Sequence, residues 1–195
     1  MSMAIIYKEA LLENLKSDAD KGDAKAQYYL GYAYYYGEGA EQNYETAMNY
    51  YKASADQGYA KAQYYLGYAY YYGEGVEQNY ETAMSYYKAA ADQKYAKAQY
   101  YYGYAYYNGE GVKQNYETAM SYYKAAADQG YAKAQYYLGY MYYNGEGVKQ
   151  NYETAMNYYK ASADQGYARA EYYLEYIKYA AANYDVSNEM QKANV

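Results

Sequence analysis

Tyrosine accounts for 45 of the 195 residues of this chain, which contains no cysteine, histidine, tryptophan, phenylalanine or proline. Without cysteine there are no disulfides or thiolate metal sites, and without histidine the commonest general base and metal ligand is missing, so we expect neither an enzyme nor a cofactor. The formal net charge of −6 argues against a protein that binds nucleic acid by neutralising phosphates.

The chain also lacks the sequence signals of a membrane or secreted protein. No apolar stretch approaches the length that crosses a bilayer. Residues 1–9 do not combine a charged region with a following apolar region, as a secretory signal does. We therefore expect a cytoplasmic protein that does not bind membranes. The sequence is also compatible with a protein whose secretory signal has been removed.

A four-residue motif, Ala-Lys-Ala-Gln, recurs with a period of 36 residues. Its copies start at Ala24, Ala60, Ala96 and Ala132, with a degenerate fifth copy at Ala168. Such regularity is typical of stacked helical hairpins, so we predict one repeat domain over residues 1–195. The predicted boundaries are 4–22 for an N-terminal half-repeat, 23–58, 59–94, 95–130 and 131–166 for full repeats, 167–183 for a C-terminal half-repeat, and 184–195 for a polar tail.

Within a repeat, the sequence predicts two helices, A and B. Helix A runs from about residue 24 to 36 and ends at Gly37-Glu38-Gly39, because glycine takes the left-handed conformation of a helix end without steric cost. Asn43 is the predicted N-cap of helix B. Helix B ends near Gln57, and Gly58 follows it.

Two positions carry local predictions. Lys94 stands where the first repeat has Gly58, so a left-handed conformation there is expected to cost about 1 kcal/mol. Gly31 lies inside helix A, where glycine destabilises a helix, and therefore indicates a close contact between helices.

A helical wheel separates the faces of each helix. The predicted core stripe of helix A is Leu30 with Ala26, Gln27, Ala33, Tyr34 and Gly37, all within about 60° of Leu30. The matching stripe of helix B is Tyr44, Ala47, Tyr50, Tyr51, Ser54 and Ala55.

The repeat resembles the Sel-one-like repeat (SLR) of the tetratricopeptide-like superfamily. In the fourth repeat the matching residues are Ala132, Ala134, Gln135, Leu138, Gly139, Tyr142, Gly145, Gly147, Val148, Asn151, Ala155, Tyr158, Tyr159, Ala161, Ala163 and Gly166. The resemblance implies an all-α, right-handed solenoid of antiparallel helix pairs that serves as a scaffold or adaptor. It also implies that helix A lines the concave side.

The chain departs from the family pattern in its aromatic residues, which are all tyrosine, and in the absence of proline from the A–B loop. The near-identical repeats are typical of a designed or consensus-like sequence, or of a recent duplication. These departures do not change the predicted fold. They weaken the inference that this chain binds the natural partners of the family.

Three tyrosine positions of helix A lie opposite the core stripe. Tyr28, Tyr32 and Tyr35 fall at about 160°, 200° and 140° from Leu30. Since helix A lines the concave side in the SLR family, we expect these tyrosines to form an exposed ladder in a groove. The ladder is Tyr28, Tyr32, Tyr35, Tyr64, Tyr68, Tyr71, Tyr100, Tyr104, Tyr107, Tyr136, Tyr140, Tyr143, Tyr172, Tyr176 and Tyr179.

One cation per repeat runs beside this ladder: Lys25, Lys61, Lys97, Lys133 and Arg169. Tyrosine combines a large rigid ring with a hydroxyl, which suits a binding surface. A tyrosine wall with a basic margin indicates a groove for a peptide or protein segment. Two alternatives stay open, namely a capture protein for a small aromatic or anionic ligand, and a designed or structural array without a natural ligand.

Overall fold

The computed structural model describes residues 3–179, with side chains from Leu12 onward. All regular secondary structure in this part of the chain is helical, as predicted. The helices are α1 (Met3–Asp20), α2 (Ala24–Tyr36), α3 (Tyr44–Asp56), α4 (Ala60–Tyr72), α5 (Tyr80–Asp92), α6 (Ala96–Asn108), α7 (Tyr116–Ala127), α8 (Ala132–Asn144), α9 (Tyr152–Ala163) and α10 (168–179). The end of the predicted half-repeat 167–183 and the predicted tail 184–195 lie outside the described residues.

The chain divides into two compact units, unit 1 (residues 1–114) and unit 2 (residues 115–195). Within unit 1, each of the helices α1 to α5 packs against the next one along the chain. Within unit 2, α8 packs against both α7 and α9. Packing between sequence neighbours is the pattern of a repeat array, in which each hairpin covers the apolar face of the next.

The helices begin and end at the predicted capping residues. Asn43 caps α3, where its side chain accepts a hydrogen bond from the backbone N–H of Thr46 at 2.9 Å. Gly37 ends α2 in the left-handed conformation, with φ of 71°. Lys94 adopts φ of 62° and is the only residue other than glycine with a positive φ in the described part of the chain. The caps predicted at Asn43 and Gly37 are confirmed, and Lys94 has the left-handed conformation for which the cost of about 1 kcal/mol stays a prediction.

The two helices of a repeat meet where a helix B tyrosine lies on a helix A glycine. A Cβ atom added to these glycines would lie only 2.5 to 2.8 Å from the Cδ1 atom of the facing ring. The pairs are Gly31–Tyr51, Gly67–Tyr87 and Gly139–Tyr159, and the three tyrosines are fully buried. The predicted close-contact role of Gly31 is confirmed.

Two buried serines hold helix B to the start of helix A. The Ser54 hydroxyl donates to the Ala24 carbonyl at 2.6 Å, and the Ser162 hydroxyl donates to the Ala132 carbonyl at 2.7 Å. These buried polar groups therefore have the partners that burial requires. In the first and fourth repeats the contact between the helices thus combines a ring on a glycine with one side-chain hydrogen bond, whereas Ala90 and Ala126 stand at the serine position in the second and third repeats.

Unlike the two serines, the buried tyrosines that lie on the helix A glycines have hydroxyls without partners. Among the described residues, the Tyr51, Tyr87 and Tyr159 hydroxyls have no hydrogen-bond partner. Burial raises the pKa of all three above the ordinary tyrosine value, so the hydroxyls stay neutral. A buried donor without a partner lowers stability, whereas the ring that carries it raises stability by filling the core.

We predict that Tyr87→Phe raises the free energy of unfolding by about 1 kcal/mol, because it removes a buried hydroxyl and keeps the ring. Urea denaturation followed by circular dichroism measures this change. Tyr29→Phe is the matched control and should change little, because Tyr29 is an exposed tyrosine. A loss of stability in Tyr87→Phe would contradict the prediction.

Candidate functional site

Six of the predicted ladder tyrosines are core residues. Each is at most 6% exposed, so the expectation that they face an open groove is wrong. They are Tyr28, Tyr64, Tyr100 and Tyr136 in the first slot of helix A, and Tyr35 and Tyr71 in the third slot.

The packing around Tyr28 explains this burial. Its ring centroid lies 6.0 Å from that of Tyr51 in α3 and 5.8 Å from that of Tyr65 in α4. Tyr59, which precedes α4, lies 5.3 Å from it. Helix A therefore packs against helix B of its own repeat and against the next repeat, and its buried arc is wider than the predicted stripe.

The remaining ladder positions keep some exposure. The half-buried members are Tyr32, Tyr68, Tyr104, Tyr107, Tyr140 and Tyr143. The exposed members all belong to α10, and they are Tyr172, Tyr176 and Tyr179. Tyr172 is 67% exposed although its counterpart Tyr28 is buried, because α4 packs on α2 at that slot.

The open aromatic surface of unit 1 is rotated from the predicted ladder. It consists of Tyr29, Tyr32, Tyr36, Tyr65, Tyr68 and Tyr72, which we call the tyrosine face. Within each helix the rings are close, since the Tyr32 and Tyr36 centroids are 4.5 Å apart, as are those of Tyr68 and Tyr72. The two helices are joined by Tyr32 and Tyr65, which meet edge to face at 5.9 Å.

Four members of this face, Tyr29, Tyr36, Tyr65 and Tyr72, were not predicted. The signal that identifies them is the cation, because Lys25 lies at about 220° on the wheel, between Tyr32 at about 200° and Tyr36 at about 240°. Because lysine is almost always exposed, a lysine that occurs once per repeat indicates which face of helix A is in contact with solvent. It does so better than the position directly opposite Leu30 on the wheel.

The structure places the predicted cations beside the A helices. Lys25, Lys61, Lys97 and Arg169 are exposed, and Lys133 is half-exposed. The Lys61 ammonium lies 5.9 Å from the centroid of the Tyr28 ring, a cation–π distance. Lys25 and Lys61 are therefore exposed cations on the same helices, α2 and α4, that carry the tyrosine face.

Unit 2 contains a cleft of about 370 Å³ between α8 and α10, which we call the C-terminal cleft. It is lined by Tyr140, Tyr143, Asn144, Tyr172, Tyr173 and Tyr176. Four of these are predicted ladder residues that the fold brings together. At its floor, the Tyr173 ring stacks on the buried Tyr159 ring at 5.4 Å and 19°.

The described part of the chain has the features of neither a membrane span nor a metal site. Every helix within residues 3–179 is too short or too polar to span a bilayer. The described residues also contain no group of three or more acidic side chains placed to hold a metal ion.

Comparison with known families agrees with this architecture. The Sel1 repeat model matches residues 24–59, 60–95, 96–131 and 132–167. The chain belongs to the Sel1 repeat family. Sel1 repeat proteins are generally protein-interaction scaffolds of a non-catalytic type. No curated protein matches the sequence.

Solved structures show the same fold. A protective antigen of uropathogenic Escherichia coli strains, which displays an SLR fold, is 38% identical with a TM-score of 0.79 over 82% of this chain and 34% of the antigen. A Sel1 repeat protein from Oxalobacter formigenes is 31% identical with a TM-score of 0.79, over 84% of this chain and 66% of its own length. This chain thus spans about a third of the first protein and just under two thirds of the second.

A third structure, an immunity protein from Pseudomonas aeruginosa, is 24% identical and matches with a TM-score of 0.55 over 83% of this chain and 58% of its own. It shows the fold alone. Together with the helix order, these matches confirm the all-α Sel1 repeat solenoid as the fold class.

We predict that the two kinds of helix A tyrosine differ in their effect on stability. Tyr64→Ala should lower the free energy of unfolding by about 3–5 kcal/mol, because it empties a core position between repeats. Tyr72→Ala should lower it by about 1 kcal/mol or less, because that ring is 46% exposed. Urea denaturation compares them. Equal losses would mean that the tyrosine face also belongs to the core.

Proposed function

We propose that this chain is a non-enzymatic scaffold that holds a peptide segment of a partner protein on the tyrosine face. The observation that carries the proposal is the aromatic surface of α2 and α4 in unit 1. Its outer rings, Tyr29, Tyr36 and Tyr72, are 40–47% exposed. The packing of the core does not need tyrosine at these exposed positions.

The chemistry of this surface suits a peptide. A tyrosine ring offers a large contact area with few rotatable bonds, and its hydroxyl bonds to peptide groups, so little entropy is lost on binding. The rings contact one another, which holds them in place before a ligand arrives. The exposed Lys25 and Lys61 add attraction for acidic or aromatic side chains of the partner.

A second function, capture of a small aromatic or anionic ligand, is favoured by the C-terminal cleft. Its volume of about 370 Å³ lies in the range of small-molecule sites. The hydroxyls that line the cleft would bond to a polar ligand, and its rings would stack on an aromatic one. We prefer a peptide as the main ligand, because the tyrosine face is an open surface that extends over two repeats.

The proposal predicts that a library of displayed random peptides yields ligands that need the tyrosine face. Binding of the recovered peptides to Tyr36→Ser/Tyr72→Ser should be weaker by about tenfold or more, because aromatic anchors each contribute about 2 kcal/mol. The double variant Tyr50→Ser/Tyr86→Ser is the control. It removes two tyrosines that stack on Tyr34 and Tyr70, outside the tyrosine face.

Both variants are first checked for folding by circular dichroism. Equal loss of peptide binding in the two variants would contradict a specific role for the tyrosine face. Recovery of no peptide at all, with binding of small aromatic carboxylates in the C-terminal cleft, would replace the first function with the second. Recovery of neither would show that the array has no ligand of these classes.

A further inference from the structure

Unit 1 contains a cavity of about 270 Å³ between α3, α4 and α5, which we call the Leu66 cavity. Leu66 and Tyr70 of α4 line it and lie about 40° apart on the helical wheel. Tyr68 and Tyr72 of the tyrosine face lie about 200° and 240° from Leu66 on the same wheel. The cavity therefore lies on the other side of α4 from the tyrosine face and shares no residue with it.

The interior of the Leu66 cavity is apolar. Met48 and Leu66 line it and are buried, and Val76 lines it and is half-buried. The Tyr70 and Tyr86 rings, which also line it, stack on each other with their centroids 5.9 Å apart and an interplanar angle of 11°. This lining offers van der Waals contacts to an aliphatic chain.

Helix α3 places charges of opposite sign along the rim of the cavity. Glu45, Asn49 and Lys52 line the cavity and are all exposed. They follow one another at steps of three or four residues, so they lie on the same face of α3. Glu45 and Lys52 are seven residues apart, which is about 10 Å along the helix axis. The cavity therefore has a carboxylate toward one end, an ammonium toward the other, and an apolar lining between them.

These two charges are not used within the described part of the chain. Neither the Glu45 carboxylate nor the Lys52 ammonium forms an ion pair with a described residue. In the second repeat, by contrast, the Lys88 ammonium pairs with the Asp92 carboxylate at 2.7 Å. Asp56 stands at the matching position of the first repeat without such a pair. The carboxylate and the ammonium at the Leu66 cavity are thus available to a ligand.

The third repeat shows the same slot filled by a larger side chain. Tyr102 stands one period after Leu66 and is 7% exposed. Its ring lies against that of Tyr106, at a centroid distance of 5.3 Å, and Tyr106 corresponds to Tyr70. A tyrosine in this slot therefore extends toward the wall that Tyr70 gives to the Leu66 cavity, and the fold accommodates it.

We propose that the Leu66 cavity binds a small zwitterion in which a linear aliphatic chain separates an ammonium group from a carboxylate. The ammonium pairs with Glu45 and the carboxylate pairs with Lys52, while the chain lies on the apolar lining. An α-amino acid with an apolar side chain carries its two charges too close together to reach both partners. This site goes beyond the proposed scaffold function, because it needs no residue of the tyrosine face.

The size of the cavity agrees with such a ligand. Its volume of about 270 Å³ is slightly below the range of about 300–1,000 Å³ that is typical of sites for drug-sized molecules. Two sources supply the required chemistry. One is a free ω-amino acid, and the other is a lysine at the C terminus of a partner protein, whose side-chain ammonium and terminal carboxylate are separated by an aliphatic chain.

The test follows the NMR signals of isotope-labelled methionine methyl groups while the full chain is titrated with ε-aminocaproate. The Met48 signal, assigned with Met48→Leu, should shift saturably with a Kd of about 1–10 mM. Met84 is the internal control, since it occupies the same position in the second repeat and Tyr102 stands at the leucine position there. Its signal should not shift.

Two compounds separate the contributions of the charges. Caproate lacks the ammonium and hexylamine lacks the carboxylate, so each keeps the chain and only one ion pair. Each should bind about threefold or more weakly than ε-aminocaproate, as expected for the loss of one exposed ion pair.

On the protein side, Glu45→Gln and Lys52→Gln change exposed side chains and should leave the fold intact. Each should weaken ε-aminocaproate about threefold or more, and Glu45→Gln should leave caproate unchanged. Glu81→Gln and Lys88→Gln are the matched controls in the second repeat and should leave the Met48 titration unchanged. Leu66→Tyr should abolish binding, because the ring fills the cavity.

Four results would overturn the inference: no saturable shift of Met48, equal binding of all three compounds, unchanged binding to the Glu45→Gln and Lys52→Gln variants, or unchanged binding to a folded Leu66→Tyr variant. If Leu66→Tyr does not fold, the two charge variants decide the result. Tighter binding of Nα-acetyl-lysine than of ε-aminocaproate would identify a protein C terminus as the source, and weaker binding would identify a free ω-amino acid. Failure of the proposed scaffold function is distinguishable, because Tyr36→Ser/Tyr72→Ser should keep the Met48 shift.

Discussion

The contact between a helix B tyrosine and a helix A glycine determines how close the two helices of a repeat lie. The same ring also positions the next repeat. The Tyr65 ring stacks on Tyr51 at 5.2 Å and 16°, and the Tyr101 ring stacks on Tyr87 at 5.4 Å and 18°. One side chain per repeat thus contacts two helices, which transmits a regular spacing along a unit. The orientation of the tyrosine face depends on this spacing.

The helices at the two ends of the described chain differ at this contact. In α10 the residue at the glycine position is Glu175, whose carboxylate pairs with Lys178 at 2.7 Å. A tyrosine ring cannot lie there as Tyr159 lies on Gly139. In α1 the tyrosine position is held by Leu15, and Asp18 replaces the serine that binds the start of helix A. Both changes remove the contact that joins helices A and B.

The sequence predicts the local features well, because they depend on few residues. The period, the cap at Asn43, the left-handed Lys94 and the close contact at Gly31 are all confirmed by the structure. The predicted exposure is wrong for six tyrosines, because a helical wheel accounts for one neighbouring helix and helix A has two. The Tyr35–Glu74 hydrogen bond was also beyond prediction, since it depends on how successive repeats are placed.

The most direct measurement of the central contact is a double-mutant cycle of Gly67→Ala and Tyr87→Leu in urea denaturation. In the wild-type background, Gly67→Ala should lower the free energy of unfolding by about 2 kcal/mol or more, because its methyl group overlaps the Tyr87 ring. In the Tyr87→Leu background the same change should be neutral, or should stabilise by about 0.5–1 kcal/mol as alanine does in an ordinary helix. An equal loss of stability in both backgrounds would contradict the account.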